Sequence, residues 1–267
     1  MSFLHILMIA IIQGITEFLP VSSSGHLILL PNLTGLQDQG LAIDVAVHVG
    51  TLGAVVLFFW RDVRLALGGL PRAMTGRIDT PGSRLAALLI VSTIPVVIVG
   101  FILNITGLTA AMRSLTLIGW TMLGFGIVLW ITDQKGSSDK SAEDWSWRDA
   151  VLMGLAQAVA LIPGTSRSGI TITAARALGY ERTGAAKLAM LMSIPTIAAS
   201  GVLLGIEVAG QADMQTARDG AIAALISFVA ALFALGLMMR LLRSVSFTPY
   251  VFYRILLGIT LLTIAYS

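Results

Sequence analysis

The chain of 267 residues contains no cysteine. Disulfide bonds, thiolate catalysis and cysteine metal sites are therefore excluded, and the redox compartment stays undetermined. Charge is also scarce, because only 12% of the residues are Asp, Glu, Lys or Arg, against about 25% in soluble domains. The N-terminus has no basic stretch before its first apolar run, so we do not expect a removable signal peptide. The apolar runs do not alternate with polar residues, which argues against a closed membrane β-barrel.

Long hydrophobic runs dominate instead. Hydrophobic residues make up 56% of the chain, and the mean hydropathy is +0.89. A helix needs roughly 17 to 25 apolar residues to cross a bilayer, so we predict an all-α integral membrane protein. The net charge of +3 comes from arginines in loops, so no nucleic-acid partner is expected. The six predicted transmembrane helices cover residues 41–60, 85–103, 114–132, 188–206, 220–239 and 249–265.

Two further apolar segments, residues 3–15 and 150–162, are too short to cross a membrane. Each is followed by an elbow rich in Pro, Ser and Gly, and then by a second short apolar piece. Irregular backbone at membrane depth persists only where protein or a water-filled cavity surrounds it. We therefore predict two re-entrant helix hairpins, over residues 3–36 and 150–178, with their elbows inside the membrane.

The two elbows match each other when the sequence is shifted by 144 residues. The match predicts a duplication, with a first repeat over 1–133, a second over 148–267, and a cytoplasmic linker over 134–147. Each repeat holds one hairpin and three transmembrane helices. Because three is an odd number of crossings, the second repeat enters upside down, which gives an inverted-topology repeat. Chance matching of Ser and Gly is the alternative. The matched pairs are Gln13 with Gln157, Ser22 with Ser166, Ser24 with Ser168, and Gly25 with Gly169.

The loop charges give this layout an orientation. Thirteen of the 17 Lys and Arg residues lie in 61–84, 133–148, 176–187 and 240–247. The loops at the opposite ends of the helices hold only Arg113 and Arg218. The positive-inside rule makes the first set cytoplasmic and puts both termini outside. Arg167 and Arg254 remain, and both fall within membrane segments.

Arg167 lies at the centre of the second elbow, Pro-Gly-Thr-Ser-Arg-Ser-Gly-Ile-Thr over residues 163–171. A charge at membrane depth is costly, so its first interpretation is an anion site, with phosphate as the anion. Gly164 and Gly169 let the backbone approach a ligand, and a helix starting near Ser168 would point free N–H groups at it. The alternative is an arginine that caps helix ends or pairs with a buried carboxylate. The hydroxyl donors around it are Ser166, Ser168 and Thr171.

The first elbow carries Gln13, Glu17, three serines at 22–24 and His26. Glu17 is a candidate general base, a ligand for a hard cation, or the partner of Arg167. His26 is a candidate proton carrier or nucleophile, or a structural hydrogen-bonding group. Together the two elbows hold what phosphoryl transfer needs: a cationic clamp, a hydroxyl or imidazole acceptor, and a carboxylate.

Two other sets of polar residues lie within predicted spans. Asp44 and His48 share one helix face and are expected to support the first elbow or to make a structural hydrogen bond. Arg254 is expected to brace helices or extend to an interface, with contact to a lipid phosphate as the alternative.

These motifs strongly resemble those of the bacterial undecaprenyl-diphosphate phosphatases, also called bacitracin-resistance proteins. The resemblance rests on Gln13 and Glu17 in a (Glu/Gln)-x-x-x-Glu pattern, on Phe-Leu-Pro-Val-Ser-Ser-Ser-Gly-His over 18–26, and on the elbow 163–171. It extends over nearly the whole chain. It implies hydrolysis of undecaprenyl diphosphate to the monophosphate in the bacterial inner membrane, which recycles the lipid carrier of cell-wall synthesis.

The resemblance also implies roles for individual residues. Dependence on Mg²⁺ or Ca²⁺ is implied, with Glu17 as the metal ligand. Many members have glutamate where this chain has Gln13, which puts a two-carboxylate metal site in doubt. A homodimer is left open. The implied catalytic residues are Glu17, Ser23, His26 and Arg167, and the implied substrate-binding residues are Gln13, Ser22, Ser24, Ser166, Ser168 and Thr171.

The motifs do not decide which group attacks phosphorus. Ser23 activated by His26 or by Glu17, His26 itself, and a metal-bound water all fit, and we favour Ser23. A membrane acid phosphatase of another class is disfavoured, because Thr173 stands where that class needs histidine. The stronger rival is a transporter or flippase for a phosphate-bearing lipid, since inverted repeats with broken helices are typical of transporters.

Overall fold

The computed structural model describes residues 1–35, 39–108, 112, 114–209 and 213–266. Over these ranges the chain forms eleven α-helices, one short 3-10 turn at Ala142–Asp144, and no β-strand. Arg113 and residue 36 of the first predicted hairpin lie outside the described ranges. The helices are α1 Phe3–Thr16, α2 Ser23–Thr34, α3 Gly40–Phe58, α4 Trp60–Met74, α5 Pro81–Thr106, α6 Leu115–Lys135, α7 Trp147–Val159, α8 Arg167–Ala177, α9 Arg182–Ala209, α10 Met214–Leu241 and α11 Thr248–Tyr266.

Six of these helices, α3, α5, α6, α9, α10 and α11, are long and apolar enough to cross a membrane. They coincide with the six predicted segments, and that prediction is confirmed. The helices start where polar caps stand, so several extend beyond the apolar run. Helix α5 begins at Pro81 because Thr80 and Ser83 form a capping box. Helix α10 begins at Met214 because the Asp213 carboxylate accepts a hydrogen bond from the backbone N–H of Thr216.

Helix α4 has no counterpart among the predicted segments. Arginines at 61, 64 and 72 interrupt its apolar residues, which hides an amphipathic helix from a search for long apolar runs. It crosses α5 at very close range. A Cβ added to Gly69 would lie 2.1 Å from the carbonyl carbon of Gly82, so the crossing requires glycine.

The short helices α1, α2, α7 and α8 form two pairs, each joined by an elbow. Helix α2 starts after Ser22 and α8 after Ser166, and both serines have a φ of 70°. They are the only non-glycine residues with positive φ in the described ranges. Helix α1 packs on α10 and α7 packs on α5, while α3 and α9 contact each other and α6 contacts α11. The packing is therefore reciprocal between the two halves of the chain.

The elbows lie within the protein core. Phe18 of the first elbow, Ile172 of α8, Met190 of α9 and Leu235 of α10 are fully buried in one apolar cluster. The outward faces of the long helices are apolar as well: Phe101, Phe233 and Phe252 each expose 65% or more of their surface. Buried elbows and apolar outer faces are what a lipid-embedded protein requires.

Polar contacts also connect the loops at the two ends of the bundle. At one end the buried Arg176 donates to Asp133 at 3.1 Å, and the Tyr180 hydroxyl donates to Asp149 at 2.7 Å. Burial and this bond to a carboxylate raise the pKa of Tyr180 above its ordinary value. At the other end the N-terminal amine of Met1 pairs with Asp219 at 3.0 Å. At each end, loops that the charge distribution assigns to the same side of the membrane therefore contact one another.

Candidate functional site

The two elbows meet at an ion pair between Glu17 and Arg167. The guanidinium Nη2 of Arg167 donates to Glu17 Oε1 at 2.7 Å, and Nη1 donates to the Ser193 carbonyl of α9 at 3.1 Å. Only 7% of the Glu17 side chain and 16% of the Arg167 side chain are exposed. The two elbows are thus in direct contact, although 150 residues separate Glu17 from Arg167.

The second carboxylate oxygen of Glu17 gathers two donors from its own elbow. Gln13 Nε2 donates to Glu17 Oε2 at 2.7 Å from one helical turn earlier. The Ser23 hydroxyl donates to the same oxygen at 2.9 Å. Ser23 is half-buried. The carboxylate therefore connects the cation of one elbow with the hydroxyl of the other, as an acceptor for the Ser23 proton would have to do.

His26 is held away from Ser23. Its Nδ1 lies 2.7 Å from the Ser22 carbonyl, which can only accept, so Nδ1 carries the proton. In the neutral ring Nε2 is then an acceptor, and the Tyr253 hydroxyl lies 2.6 Å from it. The two rings are parallel, with centroids 5.5 Å apart. The Ser23 hydroxyl therefore faces Glu17, and the imidazole faces Tyr253.

The remaining predicted residues line the walls of the elbows. Ser22 Oγ contacts Ser24 Oγ at 3.2 Å, and Ser166 Oγ contacts Ser168 Oγ at the same distance, so the two elbows repeat one arrangement. Ser166 Oγ also accepts from the Gly169 N–H, at 3.1 Å.

Ser168 joins the second elbow to the first, because its hydroxyl donates to the Leu19 carbonyl at 2.9 Å. Thr171 is fully buried, and its hydroxyl donates to the Arg167 carbonyl at 2.7 Å. These two hydroxyls fix the position of Arg167, and their assignment to substrate binding stays a prediction. Ser24, by contrast, is exposed.

Gly164 has a role other than approach to a ligand. It adopts a φ of 86°, and an added Cβ would lie 2.2 Å from Thr121 Oγ1 and 2.6 Å from the Ile118 carbonyl. Beside Gly169 the nearest atom is Arg254 Nη1, 2.7 Å from an added Cβ. The glycines of the second elbow therefore make room for α6 and for an arginine side chain.

His48 of α3 lies beside the centre. Its Nε2 is 3.8 Å from Glu17 Oε2, and its Nδ1 is 2.7 Å from the Asp44 carbonyl. Glu17, Ser23, His48 and Arg167 thus lie around one point. Within the described ranges, however, no three His, Cys, Asp or Glu side chains are close enough to hold a metal ion by themselves.

Comparison with known proteins places the chain in a family. Residues 6–260 match the family model described as bacitracin resistance protein BacA. The chain belongs to the BacA family. A relative from Ruegeria pomeroyi is 70% identical over the full length of both proteins, and one from Jannaschia sp. is 68% identical, also over both full lengths. A relative from Rhodospirillum rubrum is 47% identical over all of this chain and 96% of its own.

The first two relatives are named undecaprenyl-diphosphatase and the third undecaprenyl-diphosphatase 1. The resemblance inferred from the two elbows is thereby confirmed. Six long apolar helices make this BacA family member a multi-pass membrane protein.

Two residues of this BacA centre have partners that the sequence does not indicate, and one of them, Tyr253, was not among the predicted site residues. Tyr253 contacts His26 across 227 residues. Arg254 is fully buried and donates to carbonyls of both elbows, Gly164 at 3.1 Å, Thr165 at 2.9 Å and Pro20 at 3.4 Å. Of its two expected roles, bracing agrees with these contacts, whereas extension to an interface does not. An arginine within an apolar span indicated that Arg254 has a role, but the sequence could not predict which backbone carbonyls it contacts.

Proposed function

We propose that this BacA family member hydrolyses undecaprenyl diphosphate to undecaprenyl phosphate and inorganic phosphate, and so recycles the lipid carrier of cell-wall synthesis. The observation that carries the proposal is the Glu17 carboxylate bonded to Arg167 on one oxygen and to Ser23 on the other. This arrangement provides a phosphate clamp in Arg167, a proton acceptor in Glu17 and a hydroxyl nucleophile in Ser23, with both Arg167 and Ser23 hydrogen-bonded to Glu17. The names of the relatives support the same activity.

In the proposed mechanism the Arg167 guanidinium binds oxygens of the terminal phosphate, sharing its fork with Glu17. Glu17 Oε2 accepts the proton of Ser23 while Ser23 Oγ forms a bond to the terminal phosphorus. The bond from that phosphorus to the bridging oxygen breaks, its electron pair stays on the bridging oxygen, and undecaprenyl phosphate leaves with the proton from Glu17. Water then attacks the phosphoserine and gives a proton to Glu17. The Oγ–P bond breaks, inorganic phosphate leaves, and Ser23 recovers its proton.

His26 fits this scheme as a binding group more than as the nucleophile. Its Nδ1 proton is tied to the Ser22 carbonyl, and the lone pair on Nε2 accepts from Tyr253. Attack on phosphorus through Nε2 would need that bond to break. The geometry therefore supports Ser23 over His26 as the attacking group, with Glu17 as the base.

The donors around Glu17 fit a divalent cation, Mg²⁺ or Ca²⁺. Gln13 Oε1 is buried without a hydrogen-bond partner among the described residues, and Glu17 and Ser23 offer further oxygens. Mg²⁺ in particular is commonly held by one or two carboxylates together with substrate phosphates, so a three-carboxylate cluster is not required. Bound there, the cation would neutralise phosphate charge and polarise a P–O bond.

We also infer that the two hairpins are re-entrant and that the halves, 1–133 and 148–267, form an inverted repeat joined by the linker 134–147. Two observations support this arrangement. The elbows repeat a serine at a φ of 70°, and the helices of each half pack reciprocally on those of the other. The loop charges support a bacterial inner-membrane protein with both termini on the periplasmic side.

The test is release of phosphate by the purified full chain in detergent, from undecaprenyl or farnesyl diphosphate with Mg²⁺. We expect Ser23→Ala to abolish turnover while lipid binding remains. Arg167→Lys keeps the charge but loses the fork, and we expect a loss of about 100- to 1,000-fold in rate. Ser200→Ala is the matched control, because Ser200 is exposed on α9 and bonds only to its own helix.

The possible outcomes separate the two candidate functions. Near-normal turnover by Ser23→Ala would exclude Ser23 as the nucleophile. Binding of the lipid diphosphate without release of phosphate by the unmodified chain would contradict hydrolysis and favour a lipid transporter. Measuring the mass of the detergent-solubilised protein tests the homodimer, which stays a prediction.

A further inference from the structure

A cavity of about 260 Å³, lined by both charged and apolar side chains, lies between the beginnings of α4, α5 and α9 and the short turn Ala142–Asp144. It is at the end of the bundle that holds the cluster of Arg176 and Tyr180, away from the Glu17 centre. Four charged side chains line it, together with the indole of Trp145. The charged residues are Asp62, Arg84, Glu143 and Lys187.

A second cavity, of about 240 Å³, adjoins the first and shares Leu191 with it. All of its lining residues are apolar, and they come from α4, α5 and α9, among them Val63, Ile90 and Pro195. Between Lys187 in the first cavity and Pro195 in the second, α9 rises about 12 Å. The two cavities adjoin at Leu191; the first is called the polar chamber, after its four charged side chains, and the second the apolar trough.

The donors and acceptors of the polar chamber are unequally satisfied. Lys187 pairs with Asp62 at 2.9 Å and with Glu143 at 3.4 Å. Arg84 makes a single hydrogen bond within the described ranges, to the Trp145 carbonyl at 3.1 Å. Trp145 is 2% exposed, and its Nε1–H has no partner among the described residues. The unused groups near Arg84 and Trp145 are therefore N–H donors, which suit an anionic oxygen.

The charges of the chamber sum to zero, with two cations and two anions. A ligand carrying both a phosphate and an ammonium group would keep that balance, whereas a purely anionic ligand would meet two carboxylates. Glu143, which is 73% exposed at its side chain, can accept from an ammonium group without losing Lys187. Helix α4 is amphipathic, as helices at a membrane interface are.

We propose that this chamber and trough bind a glycerophospholipid with a phosphate diester and a primary ammonium in its headgroup, as in phosphatidylethanolamine. The phosphate accepts from Arg84 and from Trp145 Nε1–H, the ammonium donates to Asp62 and Glu143, and an acyl chain lies in the trough past Leu191. This site is separate from the Glu17 centre and does not depend on the proposed hydrolysis.

The experiment measures binding of individual lipids to the purified full chain by native mass spectrometry, with phosphatidylethanolamine, phosphatidylglycerol and diacylglycerol as probes. We expect phosphatidylethanolamine to bind most tightly. Arg84→Gln should weaken its binding by about tenfold or more, since it removes a charged hydrogen bond to phosphate. Arg64→Gln is the matched control, because Arg64 is an exposed arginine on α4 that does not line either cavity.

Trp145→Phe is the second variant, since it removes the N–H and keeps an aromatic ring. Unchanged thermal unfolding of both variants would show that they are folded and that any change in lipid binding is local. Equal binding of diacylglycerol, tighter binding of phosphatidylglycerol, or an unaltered affinity of Arg84→Gln for phosphatidylethanolamine would each overturn the proposal.

Discussion

Replacing Arg254 by lysine should separate the two elbows without touching any proposed catalytic residue. The guanidinium makes five hydrogen bonds in the described ranges, all to backbone carbonyls. One of these carbonyls belongs to Pro20 of the first elbow, and two belong to Gly164 and Thr165 of the second. An ammonium group is a single point with three donors, so it cannot span both elbows as the planar fork does.

The expected magnitude follows from the two shortest contacts, to Thr165 at 2.9 Å and Gly164 at 3.1 Å. A hydrogen bond from a charged donor contributes about 1.5–3 kcal/mol, so losing both would cost about 3–6 kcal/mol. Both of these hydrogen bonds hold the second elbow, which carries Arg167. A displacement of about 1 Å there is expected to lower the rate by about 100-fold.

The assay compares kcat and KM for farnesyl diphosphate, measured well below the melting temperature of the variant, with thermal unfolding of the same preparation. Displaced elbows should lower kcat of Arg254→Lys even where the protein is fully folded. Arg240→Lys serves as the control, because Arg240 is exposed on α10. A folded Arg254→Lys protein with kcat within twofold of the unmodified chain would refute the view that this arginine positions the elbows.

Three further predictions follow from the geometry. Gly164→Ala should destabilise the protein and lower its expression, because its Cβ would lie 2.2 Å from Thr121 Oγ1 at a φ of 86°; unchanged thermal unfolding would contradict this. Ser22→Gly relieves the cost of a positive φ at the first elbow, so unfolding measurements should show equal or higher stability, while phosphate release falls if the hydroxyl serves the substrate. Burial of Asp149 raises the pKa of its carboxyl group, but hydrogen bonds from Tyr180, Lys140 and Ser146 together outweigh burial, so the pKa is lowered. The ionised carboxylate therefore stabilises the fold fully above the ordinary pKa of aspartate, and this stabilisation is lost as the pH falls through the lowered pKa. Asp149→Asn should therefore be less stable at pH 7, and its difference from the unmodified chain should shrink below about pH 4.

Apolar run length alone predicts most of the fold. The six long helices follow from it, since roughly 20 apolar residues have little choice but to cross a bilayer, and the four short helices follow from runs that stop at polar elbows. Helix α4 does not, because its arginines at 61, 64 and 72 break the run although they occupy one face of a helix. An apolar face becomes visible in the sequence of α4 only when its residues are arranged at the period of an α-helix.

Apart from Tyr253, the residues of the centre were predictable from the sequence, but their pairings were not. Glu17 and Arg167 stand out because charged residues are rare in this chain. Their contact at 2.7 Å was only one of the roles predicted for Glu17, beside those of general base and cation ligand. Ser23 and His26 are three residues apart on α2, yet Ser23 bonds to Glu17 and His26 to Tyr253. Partners that lie 150 or 227 residues away along the chain are fixed by tertiary packing, about which helix periodicity says nothing.

The ion pair between Glu17 and Arg167 serves two states of the proposed reaction. A buried arginine without a partner is costly, so in the resting protein the carboxylate satisfies it. A phosphate bound to the Arg167 guanidinium supplies the same negative charge. Glu17 can then accept the proton of Ser23, whose hydroxyl already donates to it at 2.9 Å. Because one carboxylate holds the clamp before binding and takes the proton after it, substitution of the second carboxylate by Gln13 leaves this mechanism intact. Gln13 donates an N–H to Glu17 at 2.7 Å, a contact that an ionised glutamate at position 13 could not make.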